Sequence, residues 1–321
     1  MEVAPGVHRI DTKLGSRISS LYLLTGREGC LLFDTGVDGT ATREVAEYLT
    51  ALGLSPSDIR WIVVSHADVD HFGGLASARE LAPAAVTICH RLDAPLVEDY
   101  AVFEKRRARQ FREPWGLDEE PGTLAWMREV TREAPIDLQA SGGEVIGLSD
   151  DWQVELLHVP GHTHGHLAIH DPRAGAVIVA DAVLGDAVRN ADGSPAFPPT
   201  YRYADSYLAT VDRLAALRPQ LLLTAHYTTM ASAEAAEFLA SSRNFTEHVD
   251  EVVRDELFQA GDDGLTLRQL LLRANPRLGR WPQEGTRTAL AYPVVGHVER
   301  LLALKELAVT RDREPRLRNV P

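Results

Sequence analysis

The chain contains no apolar run near the roughly 18 residues that a membrane-spanning helix needs, which excludes an α-helical membrane protein. Cysteine is scarce: Cys30 and Cys89 are the only two, too few to staple a chain of this size or to build a Cys-rich metal site. Both sit beside strand-like apolar residues and are read as buried thiols. Positive charge is also in deficit, with 33 Lys and Arg against 46 Asp and Glu and a formal net charge of -13. Nucleic acids and anionic membrane surfaces attract excess Lys and Arg, so neither is an expected partner. No Gly-x-Ser-x-Gly elbow occurs, which argues against serine-hydrolase chemistry. The first residues, Met1 to Gly6, lack a basic segment followed by an apolar one, so a cytoplasmic location is expected. There is no internal repeat and no low-complexity tract.

What is present is an ordinary globular composition, 45% hydrophobic and 25% charged, over 321 residues. That length suits one large domain with a smaller one. Strand-like pieces (Leu21–Thr25, Cys30–Asp34, Trp61–Val64, Ala85–Cys89, Trp152–Val159, Leu167–His170, Ala176–Ala180, Leu221–Thr224) alternate with helix-like ones (Thr40–Gly53, Leu75–Leu81). This predicts an α/β architecture with helices outside the sheets. Residues 91–143 depart from the pattern as a charged, helix-prone insertion carrying Phe103, Phe111, Trp115, Trp126 and Met127. It reads either as an extra helical layer or as a lid whose aromatics cover the substrate. Its basic run Glu104–Arg112 reads as a solvated helix face. From about Thr246 the strand signals stop; Val249–Ala260, Leu265–Ala274 and Thr286–Leu307 are helical and Ala308–Thr310 is strand-like. A catalytic domain over 1–245 and a winged-helix-like domain over 246–321 are therefore expected. The latter carries 12 basic and 12 acidic residues, so packing or homodimerisation suits it better than DNA reading.

The chemistry concentrates at four strand ends. Trp61–Val64 runs into Ser65-His66-Ala67-Asp68-Val69-Asp70-His71, which places four ligand-type side chains within six positions, close enough for two metals about 3.5–4 Å apart. A lone histidine is more often a satisfied core or surface residue than a ligand, which is the reading given to His8, His90, His158, His248 and His297. Clustering reverses those odds, because imidazoles and carboxylates buried together without a metal leave unpaired charge. The other ends supply His162, His164 and His166; Asp181; and His226-Tyr227. By chemistry alone the three histidines of the second end are equivalent candidates.

Together, Asp34-Thr35-Gly36, the Ser65–Gly74 loop, Val159-Pro160-Gly161-His162-Thr163, Ala180-Asp181 and Ala225-His226 give the chain a resemblance to the metallo-β-lactamase superfamily. Within it, the chain resembles glyoxalase II-like hydrolases with a C-terminal winged-helix-like appendage. The resemblance implies a four-layer αββα sandwich, two divalent metal ions (zinc first) and a small-molecule substrate. His66 and His162 would hold one metal, Asp70, His71 and His226 the other, and Asp181 would bridge. Asp34 would be a buried structural aspartate. One departure stands out: the family loop usually has histidine where this chain has Asp68. A carboxylate there, if a ligand, shifts preference toward iron or manganese.

The implied activity is hydrolysis of an ester, lactone, thioester or lactam by a metal-bound hydroxide, with Asp70 orienting it and Tyr227, Tyr201 or Tyr203 adding a hydrogen bond. Two competing readings are a mononuclear-iron persulfide dioxygenase-like enzyme using His66, His162 and Asp181, and a non-catalytic regulator or scaffold. A second metal position at Asp70, His71 and His226 favours the hydrolase.

Overall fold

A computed structural model describes residues 1–282, 287–310 and 315–320. Two sheets stack face to face. The first has seven strands in chain order, Glu2–Ala4, Val7–Leu14, Arg17–Gly26, Gly29–Phe33, Ile59–Val64, Val86–His90 and Leu138–Ala140. The second has six, in spatial order Met230–Ala231, Leu221–Thr224, Ala176–Ala180, Leu167–Asp171, Trp152–His158 and Val145–Ser149. Helices cover both outer faces, so the layers run αββα and separate three cores.

The period-two alternation of strand side chains decides which residue joins which core. In Ala176–Ala180, Ala176, Ile178 and Ala180 point between the sheets while Val177 and Val179 point under the outer helices. Both faces are buried, which is why this strand reads as an unbroken apolar run. Tyr22, Leu24, Leu31, Phe33 and Val63 meet Trp152, Leu156, Ile169 and Leu223 in the middle layer. Leu23, Leu32, Ile62 and Val64 pack outward under Val45, Leu49, Phe72 and Leu75. Among the described residues no helix is long and apolar enough to cross a membrane. Cys30 and Cys89 are buried and unpaired.

Several boundaries differ from expectation. The strands Glu2–Ala4, Val7–Leu14 and Val145–Ser149 carried no strand signal, because polar residues such as Arg9, Asp11 and Lys13 punctuate the longest of them. The 91–143 segment is a set of short helices that ends in a strand, Leu138–Ala140, pairing in parallel with Val86–His90. One helix, Ser232–Ala260, runs uninterrupted through the expected 245/246 boundary. The C-terminal helices Leu267–Leu278 and Arg287–Ala303 join the same apolar cluster as the outer face of the second sheet, so composition changes at 246 where packing does not. A hairpin of Leu307–Val309 with Leu317–Asn319 follows. Thr286, the expected start of the last helix, lies outside the described residues.

Candidate metal centre

Four strands of the two sheets end at one edge, and each delivers part of the site. Ile59–Val64 stops at Ser65-His66; Trp152–His158 leads through Pro160-Gly161 to His162; Ala176–Ala180 stops at Asp181; Leu221–Thr224 stops before His226. The turns are built for this. Gly161 has φ +144° and a Cβ there would lie 2.5 Å from the Tyr207 Cα, so only glycine lets the chain pass and present His162. Ala180 adopts φ 45°, a left-handed conformation that costs a non-glycine residue of order 1 kcal/mol, at the irregularity that swings Asp181 inward.

Every expected histidine ligand has one ring nitrogen occupied by an acceptor behind it. His71 Nδ1 donates to Asp34 Oδ2 (2.8 Å), His226 Nδ1 to the Ile18 carbonyl (2.7 Å) and His162 Nδ1 to the Thr200 carbonyl (3.0 Å). The Ser65 hydroxyl donates to Asp34 Oδ2 (2.8 Å) and accepts from His66 Nδ1 (2.9 Å). These partners assign the Nδ1–H tautomer, which leaves each Nε2 as a lone pair aimed into the site. His66 Nε2, His71 Nε2 and Asp181 Oδ1 are buried without a hydrogen-bond partner. Facing them are carboxylates: His226 Nε2 lies 3.2 Å from Asp181 Oδ2, His71 Nε2 3.7 Å from Asp70 and from Asp181, and His162 Nε2 2.8 Å from Asp68 Oδ2. Lone pairs converging on carboxylate oxygens in a buried space leave an electrostatic demand for cations.

Three overlapping donor sets are close enough to hold a metal ion: His66, Asp68 and His162; Asp70, His71 and His226; and His66, His71 and Asp181 between them. Asp34 is the shared support, since its Oδ1 also accepts from the Ser65 amide (2.7 Å). The electrostatics follow. Burial disfavours the charged form of His71, yet Asp70, Asp34 and Asp181 outweigh it and push its pKa well up. His226 is raised the same way by Asp181 and Asp70. Burial would raise Asp181, but His226 and His71 hold it well below the usual carboxylate range.

The chain belongs to the metallo-beta-lactamase superfamily. The sequence profile of that superfamily matches residues 14–226, which include every site residue named above. "Probable metallo-hydrolase YflN" of Bacillus subtilis (strain 168) is 26% identical over 246 residues, covering 70% of this chain and 85% of its own. The acyl-coenzyme A thioesterase MBLAC2 of Homo sapiens is 28% identical over 211 residues, 61% of this chain and 67% of its own. A metallo-beta-lactamase family protein from Thermus thermophilus superposes with TM-score 0.74 at 20% identity, over 99% of this chain and 100% of that one. That last likeness spans the C-terminal segment as well, so the fold is shared end to end.

Other sequence candidates fall away from the cleft. The Tyr227 hydroxyl bonds to the Ala187 carbonyl (2.6 Å) and approaches that of Leu184, so backbone carbonyls engage the group expected to add a catalytic hydrogen bond. Tyr201 is buried against His297 (3.0 Å), and Tyr203 stacks on His164 at 3.7 Å. His164 is exposed; His166 is buried behind His66, stacked at 4.4 Å, with Nδ1 on the Leu167 carbonyl. His90 and His158 stack on each other, and His297 pairs with Asp250, as expected of structural histidines.

The insertion supplies the cleft wall with Phe103, Trp126 and Met127, while Phe111 and Trp115 pack toward the C-terminal helices instead. Two cationic residues of the cleft were not legible in the sequence. Arg107, in a run read as a solvated face, is buried on Asp68; its neighbours Lys105 and Arg106 are exposed as expected. Arg17, the first residue of the third strand, lies over the Phe197 ring at 4.7 Å and lines the cleft. A helical period of 3–4 residues places one residue of any basic run inward, but nothing local says which.

Proposed function

We propose that this protein is a two-metal hydrolase of small acyl compounds, cleaving a thioester or ester, with lactones next. The observation that carries this reading is the set of four imidazoles whose Nδ1 atoms are all engaged from behind, so that four Nε2 lone pairs face Asp68, Asp70 and Asp181. His66, Asp68 and His162 would hold one cation, Asp70, His71 and His226 the other, with Asp181 between them. Zinc is the first candidate; a carboxylate in the ligand set favours iron or manganese more than three histidines would. When bound, such ions supply acidification of a water and polarisation of the acyl carbonyl.

The chain's own groups do the rest. Asp70 reaches the cleft surface and would orient the attacking water toward the carbonyl carbon. Phe103, Trp126, Met127 and Phe197 offer an apolar bed for the acyl group and exclude water from it. Arg17 has no carboxylate within ion-pair distance among the described residues and suits an anionic portion of the substrate. Two relatives support an acyl thioester, MBLAC2 by its name and the hydroxyacylglutathione hydrolase of Erythrobacter litoralis, 32% identical over 124 residues, 38% of this chain and 42% of its own. The separate cluster at Asp70, His71 and His226 supports two positions over the single-iron alternative.

The test is turnover of acyl-coenzyme A, S-acylglutathione, simple ester and lactone panels by metal-replete protein. Chelator-sensitive thioester or ester cleavage abolished by His71→Ala and His162→Ala is expected. Oxygen consumption with sulfur substrates, in place of hydrolysis, would overturn it.

A further inference from the structure

Asp68 is not a free carboxylate. Arg107 Nε donates to its Oδ1 and Arg107 Nη2 to its Oδ2, both at 2.7 Å, a two-pronged pairing matched to carboxylate geometry. The same guanidinium reaches His162 twice, Nη1 to its carbonyl and Nη2 to its Nε2, each at 3.2 Å. Its face lies on the Tyr292 ring of the C-terminal helix, 4.6 Å from guanidinium carbon to ring centroid, and Tyr292 in turn packs edge-on against Phe111 of the insertion. The arginine is thus held from three sides and is only 6% exposed.

The consequence is an asymmetry between the two donor sets. In the His66–Asp68–His162 set, two of three donor atoms already accept hydrogen bonds from a fixed cation, and the charge of Asp68 is cancelled. In the Asp70–His71–His226 set, no arginine among the described residues donates a hydrogen bond to any member, and Arg17 acts on His226 through space only. Asp181 serves both, so the first set carries a net charge of about -1 and the second about -2 by formal counting. Building on the two-metal reading above, we propose that Arg107 makes the site load stepwise: the Asp70–His71–His226–Asp181 position fills first, and the His66–Asp68–His162 position binds more weakly. The insertion and the C-terminal helix, through Arg107 and Tyr292, thereby set the occupancy of the second cation.

A titration of chelator-stripped protein with Zn²⁺ against a competing chelator tests this, with histidine ¹⁵N resonances reporting which imidazoles respond to each equivalent. Two affinities separated by about tenfold or more are expected, His71 and His226 shifting with the first equivalent and His162 with the second. Arg107→Met keeps an apolar stem against Tyr292 and removes the charge; it should tighten only the weaker step, by about tenfold, while Arg107→Lys keeps the gap. Unchanged affinity of the tighter step reports an intact fold. Equal affinities, His162 responding first, or a weaker step that Arg107→Met leaves unchanged or loosens each overturn the proposal with the two-metal reading intact. Absence of stoichiometric binding at either step overturns that reading itself. The wild-type loading order decides the matter even should a variant fail to fold.

Discussion

Replacing Asp34 by Asn changes one oxygen for an NH₂ group and little else, yet it should reverse the chemistry of His71. Asp34 is 1% exposed and has φ 67°, a conformation that asparagine tolerates, so the backbone need not move. Oδ1 can continue to accept from the Ser65 amide. At the other position an amide now faces His71 Nδ1 and the Ser65 hydroxyl with hydrogens of its own. His71 can then keep a partner only by accepting, which moves its proton to Nε2 and removes the lone pair aimed at Asp70 and Asp181. Loss of an orienting acceptor behind a ligand histidine typically lowers metal affinity about 10- to 100-fold. Loss of a charge-assisted buried hydrogen bond costs about 1.5–3 kcal/mol of fold stability. Competition titration with Zn²⁺, thermal unfolding of the metal-free protein and the His71 ¹⁵N shifts measure the three effects. Wild-type affinity together with a retained Nδ1–H would refute the tautomer argument.

Tyr227→Phe should leave kcat within about twofold and lower stability by about 1 kcal/mol, since the lost hydroxyl serves backbone carbonyls; a much larger fall in kcat with unchanged stability would restore a catalytic role. Arg17→Gln should raise KM for anionic acyl substrates by about tenfold with kcat nearly constant and leave neutral esters unaffected, a contrast that steady-state kinetics on paired substrates measures. Metal affinity should rise with pH. In the metal-free protein the pKa of His71 is pushed well up and that of His226 is raised, so protons compete with the metal at these rings over a higher pH range than at a free imidazole. By the same sign, these groups stabilise the metal-free fold fully below their unfolded value near 6.5 and lose that contribution as pH climbs through their folded values. Calorimetry in buffers of different ionisation enthalpy should detect proton release on Zn²⁺ binding at about pH 7, and a proton count of zero would contradict this.

The ligand cluster was legible because its signal is local: four donors within six residues at the end of a buried strand, and three more apolar strands each ending in a donor. The helix Leu75–Leu81 was legible in full, and Thr40–Gly53 was recognised to within two residues at each end, because their apolar spacing is regular. What escaped depends on distant partners. Arg107 looks like its exposed neighbours until Asp68, 39 positions away, and Tyr292, far beyond, converge on it. Tyr227 adjoins a ligand in sequence, yet the backbone carbonyls that capture its hydroxyl belong to a turn 40 positions earlier. The choice of His162 over His166 is likewise non-local: one faces Asp68 and the other is shielded behind His66. The helix through residue 246 was misjudged in extent because a change of composition does not require a break in the backbone.

Anomalous diffraction at the metal edge from crystals of the protein grown with excess Zn²⁺ tests the central claim most directly. Two peaks about 3.5–4 Å apart, one against His66 and His162, the other against Asp70, His71 and His226, with Asp181 reaching both, is the predicted result. A single peak held by His66, His162 and Asp181, with Asp70 and His226 unengaged, would contradict it.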